Sequence, residues 1–224
     1  AEGYVMRVQE AVELIRSPHG RRWLWRTARQ RLYSRRVAIG IRRDLSVPYD
    51  VPPAKIPLVV RPLRPDDDLS FIAAAPGLSV QEAQRRADQR WFLRAELPNC
   101  WVAVDPDGQI CFMAWLLTAR DNDFIRARWR GLFPDLRPDE GMVEGVHTAE
   151  THRGLGIMGD ATNQMMQQAR DLGIKYSLGY IVQENSASLR GGEKHGATPF
   201  ARREERWLLF RHRIRFTPIE NAAN

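Results

Sequence analysis

The sequence predicts an α/β (α+β) protein in which strands and helices are interleaved behind a basic N-terminal extension. Three observations carry this reading: period-two apolar stretches separated by turn residues, two clean helical runs with recognisable starts and stops, and a proline-rich break after the first quarter of the chain. The 224 residues are 43% hydrophobic and 27% charged, enough apolar surface for one sizeable core and too much for a disordered chain.

Taken in order, residues 58–63 open the domain as a strand, and Arg64–Asp68 lead into a helix-like segment over 69–75. Ser79-Val80-Gln81-Glu82 has the S-x-x-E form of a capping box, and residues 83–97 continue without a breaker. Residues 100–104 and 109–117 flank the turn Asp105-Pro106-Asp107-Gly108 and predict an antiparallel hairpin. Residues 119–140 break the pattern, with a short helix around 124–132, and read as an insertion lying over another part of the molecule.

A strand over 142–148 then turns sharply into Gly154, and a helix over 157–172 ends at Gly173, a favourable C-cap. A strand over 175–182, a short helix over 184–195 and one long closing strand over 205–216 complete the order, with a further strand near 199–203 as an option.

Charge is concentrated at the start. Residues 1–57 hold 12 Lys and Arg against 5 Asp and Glu, whereas the remainder is balanced, so the net +7 belongs to the first quarter. Arginines there are interleaved with Trp23, Leu24, Trp25, Leu32, Tyr33, Val37, Ile39 and Ile41. Such a stretch suits a helix packed on its own domain, or attachment of residues 1–45 to an anionic membrane surface or an acidic partner, with nucleic acid less favoured. Four prolines in residues 46–57 read as an extended linker, placing a boundary between a 1–57 extension and a 58–224 domain.

No apolar run approaches the roughly 20 residues of a spanning helix, and no signal-peptide pattern opens the chain, so a cytoplasmic protein is expected, held peripherally at the inner face of the membrane if the extension attaches there. Cys100 and Cys111 are expected to be reduced structural thiols, although a hairpin could bring them together. The five histidines lack ligand spacing, and no metal is expected.

The segment Val146-His147-Thr148-Ala149-Glu150-Thr151-His152-Arg153-Gly154-Leu155-Gly156-Ile157 runs from strand through a glycine-spaced turn into a helix. Free amides and partial positive charge at a helix N-terminus suit phosphate oxygens. This segment resembles the acyl-CoA-binding motif of the GNAT acetyltransferase superfamily, Q/R-x-x-G-x-G/A, with Thr151 standing where Gln or Arg is usual. Downstream, Asn185 to Gly196 is similar to that family's asparagine-led helix ending in lysine-x-glycine, and the resemblance covers residues 58–216.

The resemblance implies a GNAT fold: a mixed, mostly antiparallel central sheet flanked by helices. It implies acetyl-CoA or another acyl-CoA as donor, no metal, and an N-acyltransferase working by direct attack in a ternary complex. By resemblance, Val146 and Thr148 lie along the pantetheine arm, Thr151, His152, Arg153, Gly154, Leu155, Gly156 and Ile157 cradle the pyrophosphate, and Asn185 and Ser188 complete the donor site.

Strand alternation places Glu144, Val146 and Thr148 on one face, with His147 opposite, and makes Glu144 the candidate base. The family's tyrosine acid is replaced by Gly192, leaving His195, Tyr180 or water as proton donor. The expected acceptor is a primary amine of a small molecule or envelope-type precursor, with residues 119–140 helping to hold it. A longer acyl donor, on CoA or acyl carrier protein, and a non-catalytic acyl-CoA-binding module are the alternatives.

Overall fold

The computed structural model describes Trp25 and residues 28–219. Its elements are β1 (Tyr33–Asp44), β2 (Val59–Pro62), α1 (Val80–Arg94), β3 (Cys100–Val104), β4 (Ile110–Thr118), α2 (Asn122–Trp129), β5 (Glu140–Thr148), α3 (Ile157–Asp171), β6 (Tyr176–Val182), α4 (Ser186–Lys194), β7 (Thr198–Leu208) and β8 (Arg211–Pro218). The strands form one sheet in the order β2-β3-β4-β5-β6-β1-β7-β8. Every pairing is antiparallel except β5 with β6.

β4, ICFMAWLLT, is apolar along its length because it lies inside the sheet with both faces covered. On one face Met113, Trp115 and Leu117 pack with Phe92 of α1 and Ile125 of α2. On the other, Phe112, Ala114 and Leu116 meet Ile157, Ala161, Met165 and Ala169, the four-residue stripe of α3. The two cysteines sit on opposite faces: Cys100 pairs with Trp115 rather than Cys111, and both thiols are free. Burial pushes them up to about 12 and about 11, so both stay protonated.

The capping serine behaves as its spacing predicts, Ser79 Oγ accepting the Glu82 N–H at 3.1 Å. The Glu82 side chain turns into the protein instead, to Arg153 and Arg86, and does not complete a box. The segment expected as a helix over 69–75 is a single 3-10 turn, Ser70–Ile72.

The largest departure concerns the first quarter of the chain. Residues 1–57 were expected to lie outside the domain; Tyr33–Asp44 instead forms β1, inserted between β6 and β7. The β-branched Val37, Ile39 and Ile41 supply the strand character, and Ala38 is 2% exposed. Two arginines read as part of a basic arm are engaged by the sheet: Arg35 pairs with Glu204 of β7, and Arg42 lies over Tyr176 and Phe200. Arg7, Arg16, Arg21, Arg22 and Arg26 lie outside the described residues, and with them most of the expected membrane- or partner-binding stretch.

The proline-rich segment is likewise no free linker. The Ala54 N–H donates to Asp160 Oδ2, the Lys55 N–H donates to the Leu155 carbonyl, and Ala54 and Ile56 pack on the α3 face.

The expected single closing strand is a hairpin. Leu209 and Phe210, at φ 47° and 63°, make its turn with no glycine or asparagine. Their amides donate to the carbonyls of Leu32 and Arg31, contacts from distant chain that hold a backbone the local sequence disfavours.

Candidate active site

β5 and β6 pair over only three residues, Glu140–Met142 against Tyr176–Leu178, and then part. The opening is a cleft of about 360 Å³, within the usual range of small-ligand sites. It is lined from both sides of the sheet: Glu144 and Tyr180 on the α1 side, and Ile41, Arg43, Asn163 and Met166 on the α3 side.

A bulge sets what faces the opening. Trp115 pairs with Glu144 and Met113 with His147, so Gly145 and Val146 together stand opposite Ala114. Gly145 takes φ 63°, and a Cβ there would come within 2.8 Å of the Trp115 ring. The Gln89 side chain of α1 donates to the Gly145 carbonyl at 2.7 Å and fixes the bulge.

The extra residue corrects the expected alternation. Glu144 and His147 share the α1 face, because their partners Trp115 and Met113 do, whereas Thr148, opposite Phe112, faces α3. Val146, in the bulge, is exposed to the cleft.

Burial pushes the Glu144 carboxyl up to about 7, although Arg203 and the Gly145 N–H pull it down. Burial also lowers Arg203, whose guanidinium lies over Phe133 and Tyr180 and donates to the Leu132 carbonyl at 2.6 Å. Tyr180 is raised to about 12, chiefly by burial, and so keeps its proton. Phe133, from the 119–140 insertion, packs edge-on to Tyr180 at 5.4 Å. The insertion therefore lies beside the α1-side mouth of the cleft.

The loop leading into α3 separates backbone from side-chain roles. Gly154, at φ 81°, has open space where a Cβ would be. Gly156 instead faces the chain's own backbone at Pro53 and Ala54. Two side chains between strand and helix are tied to other parts of the chain. His152 Nε2 meets Asp105 at 3.0 Å, while Arg153 pairs with Glu82 at 2.5 Å and with Glu150 at 3.3 Å.

Thr151 Oγ1 lies 2.8 Å from His152 Nδ1, and Leu155 packs on the α3-side core. What this loop presents is thus the Gly154 backbone and the first-turn amides that begin with Ile157. Glu82 is 2% exposed; burial alone would raise its carboxyl, but Arg153 and Arg86 outweigh this and hold it below the usual carboxylate range. His147, stacked on Phe71, stands 3.5 Å from Glu82, and burial lowers its pKa.

At α4, Asn185 caps its own helix, accepting the Ser188 N–H at 3.2 Å, and Ser188 lines the cleft. His195 packs so tightly on α3 that a Cβ at Gly159 would fall 2.5 Å from its ring. Its pKa is lowered, first by burial and then by Arg43 and Lys194, which makes it a neutral group rather than a cationic acid near pH 7. A Cβ at Gly192 would strike Ile41 of β1 at 2.8 Å. The glycine is there because the N-terminal strand occupies the space beside α4.

Glu144, the loop into α3, Tyr180 and α4 all fall within a family match. The model of the acetyltransferase (GNAT) family matches residues 67–196, more than half of the chain. The chain belongs to the GNAT acetyltransferase family. The eight-stranded, mostly antiparallel sheet with its flanking helices is the fold expected of that membership.

Among solved structures, the chain is similar to the glucosamine N-acetyltransferase region of a fungal multi-domain GH3 β-N-acetylglucosaminidase, with 15% identity, a TM-score of 0.55, and coverage of 85% of this chain and 23% of that one. It is also similar to a GCN5-related N-acetyltransferase from Sphaerobacter thermophilus (14%, TM-score 0.49, 87% and 56% covered). A GNAT-family acetyltransferase from Colwellia psychrerythraea gives 12%, a TM-score of 0.48, and 88% and 61% covered. The chain thus spans less than two thirds of each of these structures. No curated protein matches it.

Among the described residues, no group of three or more His, Cys, Asp or Glu could hold a metal, and no helix is long and apolar enough to cross a membrane. Sequence reasoning missed Ile41, Arg43, Gln89 and Arg203 in and around the cleft. The alternation Val37, Ile39, Ile41 was a strand signal that the surrounding arginines obscured.

Proposed function

We propose that this GNAT protein is an acyl-CoA-dependent N-acyltransferase acting on a primary amine of a small molecule, by direct attack within the cleft between β5 and β6. The observation that carries the reading is Glu144, a carboxylate beside the parting strands whose pKa sits near 7, where it can take a proton at neutral pH. The donor enters along the α3 face, its phosphates against the Gly154 backbone and the first turn of α3, its pantetheine arm along Val146 and Ser188. The amine approaches from the α1 side, past the 119–140 insertion.

Amine attack on the thioester carbonyl forms the C–N bond and releases the thiolate. Glu144 removes the amine proton, directly or through water, and Tyr180, on the same face and still protonated, returns one to the sulfur. His195 belongs to the donor side as a neutral hydrogen-bonding group. Bound acyl-CoA supplies the activated acyl group; the chain supplies position, base and proton.

The test is release of free CoA thiol on adding a panel of primary amines to protein and acetyl-CoA, with Glu144→Gln as control. Amine-dependent release lost in the variant supports the reading, and no release with any amine despite tight donor binding contradicts it.

A further inference from the structure

The α3 side of the cleft holds a cation with no carboxylate partner among the described residues. Arg43 of β1 lines the cleft, donates from Nη1 to Asn163 Oδ1 at 2.8 Å and lies over Tyr49 at 5.7 Å, while its Nε is buried without a hydrogen-bond partner. Beside it, His195 Nδ1 is also buried and unpartnered. Both residues line the one cleft and each keeps a buried polar atom unsatisfied, a desolvation cost that an anionic ligand drawing these side chains to it would remove.

Their place in the sheet indicates which ligand. Arg43 pairs with Ser177, whose parallel partner Gly141 lies just before β5 and β6 part, so Arg43 stands at the closed end of the opening and on the donor face. Tyr180, at the level of Glu144, is three residues further along β6, about 10 Å away along the strand. A short acyl group extending from the thioester toward the closed end, together with the arginine side chain, spans that gap. An amine acceptor entering from the α1 side would meet Glu144 and Arg203 first.

We infer that Arg43, with His195 and Asn163 beside it, is an anion subsite that selects an acyl donor ending in a carboxylate, a dicarboxylic mono-thioester of CoA. This rests on the acyl-transfer reading above. The reaction is otherwise unchanged: the amine nitrogen bonds to the thioester carbon, the C–S bond breaks, the amine proton leaves to base, the thiolate gains a proton, and the distal carboxylate remains on the product amide. β1 thereby contributes specificity as well as structure.

The experiment compares succinyl-CoA with butyryl-CoA, a neutral donor of the same chain length, in wild type, Arg43→Gln and Arg43→Lys. Wild type is expected to favour succinyl-CoA in kcat/KM by at least about tenfold, the worth of a charged hydrogen bond. That ratio should fall toward one in Arg43→Gln and recover in part in Arg43→Lys, whose thermal unfolding reports whether the site still folds. Equal use of the two donors by wild type overturns the inference while leaving acyl transfer standing; failure of both to bind overturns the two together. A second arm uses amines with and without a carboxylate: if Arg43→Gln erases discrimination among amines but not among donors, the carboxylate belongs to the acceptor and the assignment to the donor is wrong.

Discussion

The two sides of the β5–β6 opening are built by different means. In the loop that enters α3 the surface offered to a ligand is largely backbone: Gly154 is open, and the side chains of His152 and Arg153 are held by Asp105 and Glu82. On the α1 side it is side-chain chemistry in a buried setting, with Glu144, Tyr180 and Arg203 shifted from their ordinary pKa values chiefly by loss of water. If this loop cradles the donor phosphates as proposed, a backbone cradle tolerates side-chain change, and Thr151 can stand where the family motif has Gln or Arg. A site of buried titrating groups does not, and substitutions there should act on rate and pH dependence rather than on donor affinity.

The sharpest way to break this contrast is Glu144→Gln. Loss of a positioned base costs about 10²–10⁴-fold in rate. In wild type kcat/KM should rise as pH increases through about 7, because the carboxyl must lose its proton to act. That limb should vanish in the variant, and it should stay put when an acceptor of different amine pKa is used. A limb that moves with the acceptor would assign the ionisation to the amine and remove Glu144 from the role.

Glu82→Gln tests whether the α1 helix holds the donor loop. Losing one partner of a buried pair costs about 3–5 kcal/mol, and the partly exposed Arg153 places this variant at or below the lower end of that range. The folded-state pKa of Glu82 is depressed, so its contribution is present above the unfolded carboxylate pKa and is lost as pH falls through the folded value. Denaturant unfolding at neutral pH should show the full loss, and the gap between variant and wild type should close in acid. Donor KM should rise as Arg153 is released.

Gly192→Tyr, which restores the tyrosine of the family pattern, should destabilise by about 1–3 kcal/mol through overpacking against Ile41, read as a lowered Tm. The smallest effect is expected for Tyr180→Phe. Thiolate is a tolerable leaving group, so kcat should fall by about tenfold, below the usual range for a lost acid, and a fall confined to KM would place Tyr180 in acceptor binding only.

The turns and helix ends of the sheet's flanking layers were legible because their signals are local: Gly154 and Gly156 between β5 and α3, Ser79 before α1, Gly173 after α3. The α1 side of the cleft depends on relations that are not local. The bulge at Gly145 reverses the faces of Thr148 and His147 relative to Glu144, and simple alternation could not register the extra residue. β1 was obscured because pairs of arginines flank its β-branched residues, and their partners, Glu204, Phe200 and the cleft itself, lie more than a hundred residues away. The Leu209–Phe210 turn escaped notice for the same reason, since the carbonyls that hold it come from Arg31 and Leu32.

We propose that the opening between β5 and β6 binds acyl-CoA through the backbone at Gly154. Calorimetric titration of wild type and Gly154→Glu with acetyl-CoA and succinyl-CoA tests it most directly. Saturable donor binding to wild type that the glutamate abolishes, by placing a side chain and a negative charge in the phosphate cradle, is the predicted result. Binding that survives the substitution, or no binding to wild type at all, would contradict the account.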